Sequence, residues 1–227
     1  MFDNEKPRTV LVIAAHPDDE VLGCAGTIMK HVQSNDQVHV LFMTDGVSSR
    51  NDEASKIAAQ NRREMAEAAK KIMGVSKNTY LDLPDNAMDT VPFIEIVKSI
   101  ESKINEIKPS VIYTHFSGDL NIDHRFTHNA VMTACRPQPA CSVNKILCFE
   151  VNSSSEWSLN SAFRPNVFVN IAELEDMKSA VLDAYSKELR DFPHTRSKKA
   201  IVARDRVRGT TVGVEAAESF ILERAVF

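Results

Sequence analysis

Two rhythms of apolar residues alternate along the chain. Short apolar runs at 9–15, 38–43, 79–83 and 111–114 predict strands, and between them apolar residues recur every three or four positions. The first such stretch, 21–32, predicts a helix that Gly23 and Gly26 leave thin on one side, suited to close packing or a close ligand. The second, 52–73, is rich in Ala, Lys, Glu and Arg and meets a natural stop at Gly74. The third, 93–107, carries Ile94, Val97, Ile100, Ile104 and Ile107 and is closed by Pro109.

Strand and helix therefore alternate β-α-β-α-β-α-β, which implies a mostly parallel sheet with helices on both faces, a three-layer α/β/α, Rossmann-like class. The remainder predicts a helix at 123–135, a strand at 146–151 and a polar loop at 152–161 holding Trp157, the single tryptophan. A short strand at 166–170, a helix at 171–190, a loop at 191–197 and a helix at 198–208 follow. After Gly209 the pattern fits helix or strand. With no internal repeat and no linker, one domain over 1–227 is the expectation.

Composition narrows the function classes. The 27 basic and 31 acidic residues leave a net charge of −4, which gives no reason to expect binding to nucleic acid or to an anionic membrane. No 18-residue apolar run is present, so no membrane span is predicted, and residues 1–8 lack the apolar region of a signal peptide. Cys24, Cys135, Cys141 and Cys148 form no C-x-x-C pair and read as small buried hydrophobes of a reduced, cytoplasmic protein.

Chemistry concentrates at the end of the first strand. The run Val10-Leu11-Val12-Ile13-Ala14-Ala15 discharges into His16-Pro17-Asp18-Asp19-Glu20, and so many ionisable groups together cost free energy unless a cation or a catalytic task uses them. His16 and Asp19, three apart on a turn, offer an imidazole nitrogen and a carboxylate oxygen suited to zinc, and a catalytic zinc needs a third protein ligand. The end of the fourth predicted strand offers it, in His115-Phe116-Ser117-Gly118-Asp119-Leu120-Asn121-Ile122-Asp123-His124, with His128 a turn further on. Both segments lie where ligands bind in open α/β sheets, beyond the carboxyl ends of strands. Of the other histidines, His31 is expected on a solvated helix face and His39 as a packed or surface residue of a strand.

Ala15-His16-Pro17-Asp18-Asp19-Glu20 resembles the A-H-P-D-D-E signature of the PIG-L/LmbE-like family of zinc-dependent N-deacetylases. Asp119-Leu120-Asn121-Ile122-Asp123-His124 is similar to its second motif, Pro193-His194-Thr195-Arg196-Ser197 to a later P-H-x-R-S segment, and Arg208-Gly209 with 215–220 to its C-terminal stretch. The resemblance implies an LmbE-like fold and makes His16, Asp19 and His124 the metal ligands, with Asp18 the general base. It implies zinc (Zn2+), with iron(II) (Fe2+) the alternative, and a small-molecule N-acetyl sugar or glycoconjugate as substrate; a homo-oligomer is compatible with it. A carboxylate beside a metal but not bound to it can take a proton from water and return it to the departing amine.

The remaining candidates follow from the same resemblance. Asp123 joins the catalytic set by orienting a histidine, and Glu20 either supports a ligand or favours the helix start. Many members have a histidine where this chain has Asn121, and asparagine can donate a hydrogen bond but cannot carry a proton. His194, in its loop, is the candidate to replace it. Arg62, Asp119 and Asn121 are candidates for contact with substrate, although Arg62 and Arg63 could equally pair with Glu64 or Glu67 on the surface. His115 and His128 read more readily as structural histidines, and Arg204, Arg206 and Arg208 as a solvated face. The rival functions are an amidase acting on a non-sugar N-acyl substrate, or a non-catalytic metal- or nucleotide-binding α/β protein. The last lacks a G-x-G-x-x-G after the first strand.

Overall fold

The computed structural model describes residues 6–47, 53–139 and 141–226. Asp52, the first residue of the predicted helix 52–73, lies outside the described residues, as do residues 1–5 of the N-terminal segment. The element order is β1 (Thr9–Ala14), α1 (Asp19–Gln33), β2 (Gln37–Thr44), α2 (Glu53–Met73), β3 (Lys77–Leu83), α3 (Phe93–Ile107) and β4 (Val111–His115). Then come α4 (Ile122–Ala134), β5 (Lys145–Phe149), β6 (Val167–Asn170), α5 (Glu175–Ala184), α6 (Lys198–Thr211) and β7 (Ala217–Ala225).

All seven strands join one sheet in the order β3-β2-β1-β4-β5-β7-β6. The pairs β1–β2, β1–β4, β2–β3 and β4–β5 are parallel, whereas β7 runs antiparallel to both β5 and β6. Because β1 is central, its side chains feed both layers. Val10, Val12 and Ala14 pack with Val21, Ala25 and Ile28 of α1 on one face. Leu11 and Ile13 pack with Ile96, Val97 and Ile100 of α3 and with Ala130 and Val131 of α4 on the other. The strand order reverses between β1 and β4, the crevice where open α/β sheets bind ligands.

The glycines of α1 answer the sequence question in favour of packing. A Cβ at Gly23 would stand 2.4 Å from Cδ2 of Phe149, and one at Gly26 2.6 Å from Cγ2 of Ile171. Two expectations are corrected and one open stretch is settled. The helix predicted at 171–190 ends at Ala184, where Tyr185 turns inward so that its hydroxyl reaches Glu20, 2.8 Å away. The stretch after Gly209 is helix to Thr211 and then β7, whose mixed pattern hid a strand that buries Glu218 as well as Phe220. His31 is fully buried rather than solvated, clasped between Asp36 and Tyr113. The four cysteines are free. Among the described residues no helix is long and apolar enough to cross a membrane.

Candidate active site

The chain leaves β1 at Ala14 and must turn at once into α1. Asp18 takes φ +135°, a region costly for a residue with a side chain, and Glu20 accepts a hydrogen bond from its backbone N–H at 3.0 Å. Glu20 is buried and also accepts from Tyr185; burial pushes its carboxyl up to about 8. This strained turn separates two neighbours. Asp19 points toward the histidines, whereas Asp18 points toward Arg196.

Three ligand atoms converge from two strand ends. Nδ1 of His16 lies 3.1 Å from Oδ2 of Asp19, and Nε2 of His124 lies 3.3 Å from each of them. In a tetrahedral zinc site with bonds of about 2.0–2.1 Å, adjacent ligand atoms stand about 3.3–3.4 Å apart. The other oxygen, Asp19 Oδ1, is buried with no hydrogen-bond partner among the described residues. The triangle, the orphaned oxygen and the donor set of two imidazoles and one carboxylate all fit a divalent cation.

Each histidine is aimed from behind by a carboxylate, the arrangement that fixes a ligand's tautomer. Nε2 of His16 donates to Oδ2 of Asp123 at 3.2 Å and also faces Asp85 Oδ1 at 3.3 Å. Asp123 is itself held by the backbone N–H groups of Asn86 and Met88. Nδ1 of His124 faces Asp119 Oδ1 at 3.1 Å, and Asp119 accepts from the Ser154 and Ser155 hydroxyls and from the Asn121 backbone N–H.

Electrostatics point the same way. Burial alone would lower the affinity of His124 for a proton, but Asp19 and Asp119 overcome it and raise its pKa to about 9. His16 is likewise raised well above its ordinary value, against burial, by Asp19 and Asp123. Burial would raise Asp19, yet His124, His115 and His16 hold it well below the carboxylate range. The pocket therefore draws positive charge, which protons or a metal ion can supply, and binding a metal there releases protons.

The other candidates sort by position. Asp18 accepts from Nη1 of Arg196 at 3.0 Å, and Nη1 of Arg62 stands 4.0 Å away. Arg62 also pairs with Glu188, whereas Arg63 pairs with Asp82 over Tyr80; neither takes Glu64 or Glu67. Asn121 is the N-cap of α4, its Oδ1 accepting from the backbone N–H of Asp123 and His124. His194 is exposed: its Nδ1 accepts from the Arg196 backbone N–H, and its ring meets Trp157 edge-on. The loop around it thus delivers Arg196, not His194, to Asp18.

His115 accepts the Ala15 N–H at Nε2, 2.8 Å away, and stacks on His124 with ring centroids 4.0 Å apart. Burial, then His124, lowers its pKa well below the usual value, so it is a neutral support. His128 donates from Nδ1 to the His115 carbonyl at 2.9 Å. Arg204 and Arg208 bind Glu150, and the exposed Arg206 pairs with Glu175, so all three arginines of that face have carboxylate partners.

Sequence reasoning missed Asp85, Arg196, Glu188 and the serines. Asp85 was findable, since it follows the carboxyl end of β3 by two residues. Ser154 and Ser155 carry no signal beyond belonging to a polar loop.

The chain is similar to known deacetylases. The family model described as PIG-L, GlcNAc-PI de-N-acetylase, matches residues 11–135. The uncharacterized deacetylase YaiS of Escherichia coli K12 is 29% identical over 173 residues, 74% of this chain and 84% of that protein. A probable N-acetyl-alpha-D-glucosaminyl L-malate deacetylase 2 of Bacillus subtilis 168 is 27% identical over 183 residues, 78% of this chain and 81% of that protein. The structure of N,N'-diacetylchitobiose deacetylase from Pyrococcus horikoshii superposes with a TM-score of 0.79 at 22% identity, covering 98% of this chain and 88% of that one.

Proposed function

The chain belongs to the PIG-L family of de-N-acetylases, and from that premise we propose that it hydrolyses the acetamide of an N-acetylated sugar or glycoconjugate of the N-acetylglucosamine type. Products are acetate and a free amine. The observation that carries this reading is the triangle of His16, Asp19 and His124 with Asp18 at its side.

His16, Asp19 and His124 would hold the metal, and Asp85, Asp119 and Asp123 keep the two imidazoles oriented. Zinc suits that donor set, and iron(II) is the alternative because two histidines and a carboxylate also serve non-haem iron. The bound cation supplies Lewis acidity to the amide carbonyl and to water. Asp18 accepts the proton that water loses as its oxygen bonds to the carbonyl carbon. It then returns that proton to the nitrogen as the C–N bond breaks. Burial raises the Asp18 pKa, against the pull of Arg196 and Arg62, which makes its carboxylate a better proton acceptor than an exposed one. Arg62 and Arg196, flanking Asp18, keep its carboxylate in place and offer donors to substrate oxygens. The malate-conjugate and diacetylchitobiose deacetylases among the relatives support an N-acetylglucosamine-type substrate.

The test is acetate release from a panel of N-acetyl sugars and non-sugar acetamides, with metal analysis of the purified protein. Release from the sugars, lost on chelation and reduced about 10²–10⁴-fold by Asp18→Ala, is the expected result. Release only from non-sugar acetamides would replace the sugar by another N-acyl group. No release from any of them would sink the activity.

A further inference from the structure

We propose that His128, Cys148 and Glu223 form a second divalent-cation site, one that ligates through a thiolate and takes zinc, separate from the triangle at His16. One ligand atom from each of the three lies within 4.8 Å of the other two. The site owes nothing to the acetamide chemistry and stands or falls apart from it.

Three elements bring these residues together. Helix α4 carries His124 and His128 four positions apart, so one turn of the same stripe serves the catalytic triangle and the next meets β5. Cys148 shares the α4-covered face of β5 with Ile146, because side chains alternate along a strand. Glu223 arrives through an irregularity. Where β7 pairs with β5, Ile146 faces Arg224 and Leu147 faces Leu222, which leaves Glu223 as the extra residue of a bulge. A bulge of this kind re-aims a side chain, and the charge of Glu223 acts on both the His128 ring and the Cys148 thiol.

The donors are arranged as a metal requires. Nδ1 of His128 donates to the His115 carbonyl at 2.9 Å, and Cys148 Sγ flanks the same nitrogen at 3.5 Å. A neutral imidazole that donates from one nitrogen holds its lone pair on the other, and a backbone carbonyl is a usual partner behind a ligating histidine. Burial holds the His128 pKa below its ordinary value, which favours that neutral form. Burial, then Glu223, pushes the Cys148 thiol well above its usual range, so its proton passes to solvent when the cation binds. Imidazole, thiolate and carboxylate make a zinc donor set, and three protein ligands leave a fourth position for water. His128 and Cys148 are buried whereas Glu223 is exposed, which gives the ion a route in. The bound ion would clamp α4, β5 and β7 together one helical turn from His124.

Cobalt(II) reads the two sites separately, because a thiolate ligand adds a sulfur-to-cobalt charge-transfer band in the near ultraviolet that imidazoles and a carboxylate lack. Metal-free protein titrated with cobalt(II) should take up about two ions per chain, with the band growing as one of them binds. Glu223→Gln should weaken the sulfur-ligated ion by at least about tenfold, the floor for even an outer-shell partner, and leave the other ion in place. Cys148→Ala should abolish the band, and zinc added to the parent protein should bleach it. One ion per chain with a sulfur band would support this site and count against the triangle instead. Uptake of cobalt without a sulfur band would overturn the site, as would a band that survives Cys148→Ala. So would an unchanged affinity in Glu223→Gln, a surface substitution that stays informative if Cys148→Ala does not fold.

Discussion

Oδ2 of Asp123 lies 3.2 Å from Nε2 of His16, a residue 107 positions earlier in the chain. The contact uses the outer nitrogen of His16 and leaves Nδ1 turned to Asp19 and His124. A carboxylate in that position fixes the tautomer and raises ligand basicity, and its loss typically costs 10–100-fold in metal affinity. Asp123→Ala should therefore weaken metal binding by about 10–100-fold in competition with a chromophoric chelator. Asp123→Asn should fall between, since its amide oxygen still accepts from Nε2 without the charge. An unchanged affinity in both variants would remove Asp123 from the site.

Gly23 decides how closely α1 approaches the sheet. The Phe149 ring fills the space a Cβ would need and also lies 4.7 Å from the His115 ring, which in turn stacks on His124. Gly23→Ala must displace Phe149 or lift the helix that starts at Asp19. Overpacking of this kind costs about 1–3 kcal/mol, a Tm drop of roughly 2–12 °C at this chain length. Metal affinity should fall with it, because either adjustment moves a ligand or its support. A Tm within a degree of the parent's would show that the contact yields freely.

These two contacts explain what the sequence made legible and what it did not. The central strand announced itself as an unbroken apolar run, and the sheet rule placed candidate ligands just past two strand ends, whereas the choice of His124 among the donors of 115–124 rested on the resemblance of the two motifs. Asp18 and Asp19 could be separated only in principle until the positive φ of Asp18 showed how neighbours point apart. Residues that act through a third residue left little trace. Arg196 shares the segment Pro193-His194-Thr195-Arg196-Ser197 with a histidine that can carry a proton, and nothing in that segment shows that the arginine is the residue reaching Asp18. Strand β7 was hidden because a buried Glu218, bound to the Gly26 and Thr27 N–H groups and to Lys178, breaks the apolar alternation. His31 shows the same limit: its buried partners, Asp36 five residues on and Tyr113 on β4, are not visible in a helical pattern.

That buried histidine makes stability depend on pH. Nδ1 of His31 lies 2.6 Å from Asp36 Oδ2 and Nε2 2.9 Å from the Tyr113 hydroxyl. Burial pulls its pKa below 6.5 despite the opposing pull of Asp36. The unfolded chain then binds a proton that the folded chain refuses. This contribution is complete above the unfolded pKa and is lost as pH falls from about 6.5 toward the lower folded value. Thermal unfolding in chelator at pH 7.5 and 5.5 should show a larger drop for the parent than for His31→Gln, although the variant starts lower. The other titrating groups are common to both proteins, so parallel slopes would refute a role for His31.

Asn121, where the family resemblance implies a histidine, has a structural task of its own. Its Oδ1 accepts from the backbone N–H of Asp123 at 2.8 Å and of His124 at 3.4 Å, which caps the helix that delivers both residues. Loss of such a cap costs about 0.5–2 kcal/mol, whereas serine caps nearly as well as asparagine. Asn121→Ala should lower stability by about 1 kcal/mol and weaken metal binding, since the first turn of α4 holds His124. Asn121→Ser should stay within a few tenths of a kcal/mol of the parent and keep kcat within about threefold. A serine variant that is as stable as the parent yet loses more than about thirtyfold in kcat would assign the amide nitrogen a direct part in stabilising the reacting carbonyl. The side chain would then be a donor to substrate as well as a cap.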